Sequence, residues 1–200
     1  MLRKRLQEAI AHVGQALREP EEFTVRWHRG EVQYGWPVWA ALIAMSMIGT
    51  IAYGMTMGIL GGPARVLAAG QQLTLSAGLA WAIPLPALYI LNSLAGSRLS
   101  APTTLLAAVV TTSWGGLAMI ASIPINWFFT ASVPVPWFVR IVNAVVFAGV
   151  GVAMIDVFGR VMQALEPARG RLPTWCLLLV GAIGTELFHA FRLFEFATGK

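Results

Sequence analysis

Three long stretches of this sequence, residues 32–64, 66–97 and 99–139, contain no Asp, Glu, Lys or Arg. Ionised side chains are costly at membrane depth, and a helix needs about 20 mainly apolar residues to cross about 30 Å of hydrocarbon. Each stretch is long enough for one crossing. A soluble domain carries about 25% charged residues; here 12% are charged, 57% are hydrophobic and the mean hydropathy is +0.69. The same figures exclude a disordered chain, which would be polar and poor in aromatics. Beyond Arg140 the pattern admits two more crossings, one with Arg140 near its start and Asp156 near its end. The expected fold is therefore all-α, an integral membrane bundle of five transmembrane helices. The expected spans are 37–60, 73–94, 104–128, 137–159 and 174–194, forming a membrane domain over 37–200 behind a short cytoplasmic region over 1–36.

Orientation follows from where Lys and Arg lie relative to the membrane. With the N-terminus cytoplasmic, that side holds Arg3, Lys4, Arg5, Arg18, Arg26, Arg29, Arg98, Arg160, Arg169 and Arg171. The other side holds only Arg65, Arg140, Arg192 and Lys200. An odd number of spans then puts the C-terminus outside. Tryptophan favours the membrane–water boundary, and Trp36, Trp39 and Trp175 fall at one boundary, Trp127 and Trp137 at the other. The first 36 residues are polar and do not read as a signal peptide, since no short apolar core precedes a small-residue cleavage site. The basic balance comes from this topology and implies no nucleic acid. One cysteine excludes a disulfide framework within the chain.

Within the cytoplasmic region, Leu2, Leu6, Ala9, Ile10, Val13 and Leu17 recur at helical spacing, with Arg3, Lys4, Gln7, Glu8 and Arg18 elsewhere around the helix. Pro20 ends it. Such a basic amphipathic helix can lie on an anionic membrane surface, pack on a partner, or cover the protein's own cytoplasmic loops. Phe23, Val25 and Trp27 then alternate with polar residues, His28-Arg29-Gly30 offers a turn, and Val32 and Tyr34 alternate again. That pattern predicts a small hairpin.

Gly54, Gly58 and Gly62 are spaced by four, which gives the first span a smooth face for close helix approach, either within the bundle or as a docking face for another subunit. Pro84 and Pro86 fall inside the second span and lack backbone donors, so the helix must kink there. Pro124 does the same late in the third. Broken helices expose backbone carbonyls to substrates in some transporters; Thr111, Thr112 and Ser113 can instead re-satisfy such groups.

The fifth span holds Glu186, His189, Arg192 and Glu195 at intervals of three, a slanting ladder on one helix. With Arg140, which enters from the same side, they form an expected intramembrane polar cluster. Glu186-x-x-His189 has the spacing of a carboxylate-bridged di-iron helix, but such sites need two such motifs and further carboxylates; no metal site is expected. His189 is the one histidine in a span, too few for a bis-histidine haem, though it can contact a pigment or quinone. No catalytic constellation, no phosphate-binding glycine loop with its Lys and no lysine for a retinal Schiff base is present in the spans. Bound lipid is expected.

The stretch Leu88-Tyr89-Ile90-Leu91-Asn92-Ser93-Leu94-Ala95-Gly96-Ser97-Arg98-Leu99-Ser100, followed by the Thr-rich third span and Ile123-Pro124, resembles the middle of bacterial Yip1-like and other five-span membrane proteins. The resemblance covers about residues 75–130. It implies a five-helix bundle with a cytoplasmic N-terminus in the bacterial inner (cytoplasmic) membrane. The Asp-Leu-Tyr-Gly-Pro motif of eukaryotic members is absent. The functional expectation is a non-catalytic accessory or scaffold subunit whose partners are other membrane protein subunits. The alternatives are a small transporter or lipid-handling protein built on the kinked second and third spans, and a pigment- or quinone-contacting subunit resting on His189.

Overall fold

A computed structural model describes residues 2–94, 96–169, 181–183, 185–187 and 189–190. It is helical throughout, with no strand among the described residues. Through residue 165 the described helices are α1 (Leu2–Arg18), α2 (Pro20–His28), α3 (Trp36–Met57), α4 (Pro63–Ala82), α5 (Pro84–Leu94), α6 (Ala101–Ser132) and α7 (Pro136–Leu165). Among the described residues four units are long and apolar enough to cross a membrane: α3, α4 with α5 (Pro63–Leu94), α6 and α7. The fifth expected span, 174–194, falls largely outside the described residues.

Proline sets where these helices begin. α2, α3, α4, α6 and α7 each carry Pro in the first turn, where its missing N–H costs nothing and its fixed φ favours the helix. α6 has a side-chain cap as well, the Ser100 hydroxyl accepting from Thr103 N. Gly62, at φ +85°, makes the turn into α4 that an L side chain rarely adopts. At 32 and 30 residues, α6 and α7 are about 48 and 45 Å long at 1.5 Å per residue. Both outrun the 104–128 and 137–159 spans, because hydropathy marks only the apolar stretch while the helix continues into the boundary layer.

α6 is the hub: half of its spanning window is buried, against 22% for α7. It packs between α3 and α7, and α3 packs in turn on α4. Small residues make these approaches. A Cβ on Gly49 would lie 2.1 Å from the Gly116 carbonyl oxygen, and one on Gly116 would lie 2.7 Å from that of Met45. The α3 and α6 backbones therefore touch. Gly54 and Gly58 do the same for α4, where added Cβ atoms would meet Ala69 O at 2.7 Å and Arg65 O at 2.6 Å. The face carried by these two glycines is thus occupied by the chain's own next helix.

The N-terminal region departs from expectation. Residues 20–28 form α2, a helix, where alternation suggests a hairpin strand. Phe23 and Trp27 are four apart, which serves a helix face as well as a strand. Pro20 at the start, Glu21 and Glu22 in the first turn, and Arg26 and His28 in the last favour the helix, with charges matched to its dipole. α1 and α2, joined at Glu19, cap one end of the bundle. Ala9, Ala16 and Phe23 are buried there with Val38 and Leu42 of α3 and Leu106 and Val110 of α6, so α1 covers its own bundle, although Ile10 stays 62% exposed. Tyr34 stacks on Phe23 at 4.0 Å and donates its hydroxyl to Phe23 O at 3.1 Å. Burial pushes its phenol pKa up.

Polar contacts fasten the cap. Arg160 on α7 pairs with Glu21 of α2 and, at 3.0 Å, with Asp156 one turn back. Just past α7, the Glu166 carboxylate accepts from Ser97 Oγ at 2.7 Å and Arg98 N at 2.8 Å. It clips the α5–α6 connection to the end of α7.

Candidate functional site

The richest polar assembly lies inside the bundle, toward the end opposite α1 and α2. It starts on α6, where Thr130 Oγ1 donates to Asn126 Oδ1 at 3.5 Å. Asn126 Nδ2 donates to Thr56 Oγ1 on α3 at 2.8 Å, and that hydroxyl donates to Tyr53 O at 2.6 Å. The Tyr53 hydroxyl crosses to α7, donating to Asn143 Oδ1 at 2.9 Å, and Asn143 Nδ2 donates to Val139 O at 2.8 Å. Tyr53, Asn126, Thr130 and Asn143 are all buried. One run of side chains thus laces α6, α3 and α7 together, with each donor directed at an acceptor, which is what buried polar groups require.

Two further contacts join α3 to its neighbours. Ser113 Oγ donates to Leu42 O at 2.7 Å, near the Gly49–Gly116 crossing, and Thr50 and Thr74 share a hydroxyl pair at 3.0 Å between α3 and α4. These residues carry no charge, so sequence inspection for ionisable groups passes over them. Their signal is an Asn or Thr inside an otherwise apolar span.

Among the described residues, three buried polar atoms have no hydrogen-bond partner: Gln72 Oε1, Ser76 Oγ and Arg140 Nε. Arg140 lies on α7 one turn before Asn143 and is half-buried. Glu186 and His189 are helical and exposed. Among the described residues no ion pair joins Arg140 to either of them. Arg192 and Glu195 lie outside the described residues.

The prolines act differently from one another. α4 ends at Ala82 and α5 begins at Pro84, so the expected kink is a break at Ile83. Pro84 is buried on the same face as Ser76 and Ala80; Pro86 is exposed. Lacking N–H groups, the two leave the carbonyls of Ala80 and Ala82 without their helical donors. Pro124 is exposed and α6 runs through it. Among the described residues no group of three His, Cys, Asp or Glu side chains is placed to hold a metal.

Fold and side chains together define an all-helical, multi-pass membrane protein. No protein-family model, no curated protein and no solved structure matches the chain.

Proposed function

We propose that this protein is a non-catalytic accessory or scaffold subunit of a larger membrane complex, with Yip1-like architecture. One observation carries the reading. Six polar side chains of the bundle interior, Thr50, Tyr53, Thr56, Ser113, Asn126 and Asn143, make hydrogen bonds that hold one helix to another. They brace a frame. In this reading residues 174–194 form the fifth span, the membrane is a bacterial inner membrane, and the N-terminus is cytoplasmic with the C-terminus outside, an orientation the ten-to-four partition of Lys and Arg supports. The broad apolar flank of α7, with Ile141, Val145 and Val152 exposed, is available to lipid and to neighbouring subunits. Purification from the native membrane in mild detergent tests this. Partner proteins in fixed ratio are the expected result; a lone, colourless monomer or homodimer would refute it.

A second reading, a small transporter or lipid-handling protein, is favoured by the α4–α5 break. Gln72 and Ser76, one turn apart on α4, hold buried partnerless atoms, and Ser76 shares its face with Ala80 and Pro84. It predicts water access at Ser76, Pro84 and Thr111. Ser76→Cys in a Cys176→Ala background should then react with a water-soluble maleimide in intact membranes. Protection of that thiol would sink this reading.

A further inference from the structure

Arg140 sits in a setting that calls for an anion. It lies in the second turn of α7, which begins at Pro136, near the positive end of the helix dipole. Its Nε is buried without a hydrogen-bond partner among the described residues, and a buried unpaired donor on a charged group is expensive. Glu186 makes no ion pair with Arg140, and the remaining described carboxylates, Glu8, Glu19, Glu21, Glu22, Glu31, Asp156 and Glu166, belong to α1, α2, the segments joined to them and the distal end of α7. That places them at the other end of the bundle. Arg65, which opens α4 just past the end of α3, adds a second cation to the end that holds Arg140.

Height in the membrane identifies the anion. Tyr53, near the end of α3, bonds to Asn143, so Arg140, one turn further out, stands level with the close of α3. Trp127 and Trp137 flank this level, 59% and 63% exposed. Exposed tryptophans mark the headgroup layer. A guanidinium presents a planar fork of donors that matches phosphate oxygens. We propose that Arg140 binds the phosphate of a membrane phospholipid in the leaflet opposite α1 and α2.

The full-length protein, delipidated in dodecyl maltoside, provides the test. Dioleoyl phosphatidylglycerol, a phosphate-free monoglucosyl diacylglycerol and inorganic phosphate are added separately, with lipid retention read by native mass spectrometry and thermal unfolding by circular dichroism. The wild type should retain phosphatidylglycerol and gain thermal stability from it, but not from the glucolipid. Arg140→Gln should bind phosphatidylglycerol about 10-fold to 100-fold more weakly, the range expected for losing charge-assisted hydrogen bonds. If that variant does not fold, Arg140→Lys, which keeps the charge and loses the fork, should bind several-fold more weakly. Equal retention by variant and wild type, or equal response to the glucolipid, would overturn the proposal. Stabilisation by inorganic phosphate alone would move the source from lipid to a free anion and overturn the lipid assignment. Loss of the lipid response in Glu186→Gln, with Arg140→Gln unaffected, would overturn it in favour of a carboxylate-centred site.

Discussion

Gly49→Ala adds one methyl group where α3 and α6 cross. Its Cβ would stand 2.1 Å from the Gly116 carbonyl oxygen, whereas ordinary contact begins at 3.4 Å. The obstacle is backbone, so no rotamer change relieves it, and the helices must part by about 1.3 Å. Overpacking of this kind costs about 1–3 kcal/mol. Parting also stretches the Ser113–Leu42 contact, now 2.7 Å, and interhelical hydrogen bonds in membranes contribute about 0.6 kcal/mol on average. The expected loss is about 2–4 kcal/mol. Gly149→Ala is the control, because Gly149 has open space around its Cβ position. There the same substitution should stabilise the helix by about 0.5–1 kcal/mol through backbone entropy. Reversible unfolding by sodium dodecyl sulfate in mixed micelles, followed by far-ultraviolet circular dichroism, measures both. If the two variants fall within about 0.5 kcal/mol of each other, within ordinary scatter for surface changes, the backbone contact between α3 and α6 does not exist as described.

Tyr53→Phe removes the donor to Asn143 and should cost about 0.6–1.7 kcal/mol; a double-mutant cycle with Asn143→Ala should show coupling, and additivity would refute the bond. Tyr34 has a raised pKa, so the folded cap binds a proton more tightly than the unfolded chain. Its contribution is therefore complete below the ordinary tyrosine value of about 10 and falls as pH rises above it toward the folded pKa. Proteolysis of α1 and α2 should accelerate above that pH in the wild type and lose this dependence in Tyr34→Phe. Glu166→Ala removes the acceptor of Ser97 Oγ and Arg98 N and should speed hydrogen exchange in the α5–α6 connection while leaving the α3–α6 crossing protected. Arg160→Gln removes the ion pair between α2 and α7 but leaves Val25 packed on the α7 core, and because Arg160 and Asp156 are exposed the effect should be small, about 0.2–1 kcal/mol, and should shrink with added salt.

The helical class and four of the crossings could be read from the spacing of charge, because one ionised group at membrane depth outweighs most other local preferences. The glycines at 54 and 58 could be read as a close-packing face, though not which helix fills it. Other features were hidden for definite reasons. Phe23, Val25 and Trp27 alternate like a strand, yet the pair four apart supports a helix equally well, and neighbouring proline and charge placement decides. Gly49 alone says nothing of Gly116, since their contact depends on how two distant helices are brought side by side. The Asn126–Thr56 and Tyr53–Asn143 bonds use uncharged residues, so the distribution of ionisable groups does not reveal them. The helix excess beyond the spans is likewise invisible to hydropathy, because a boundary turn needs no apolar residue.

The lacing of α3 to α7 also imposes a timetable on assembly. Tyr53 and Asn143 are 90 positions apart, and ribosomes add about 5–20 residues per second. Tyr53 therefore waits roughly 5–18 seconds in the membrane before its acceptor is made. During that interval α4 can already seat against Gly54 and Gly58, while the hydroxyls of Tyr53 and Thr56 depend on local carbonyls, water or the insertion machinery. A chaperone that shields polar intramembrane groups would find its client in this half-built hairpin, and variants that slow elongation before residue 143 would prolong its exposure.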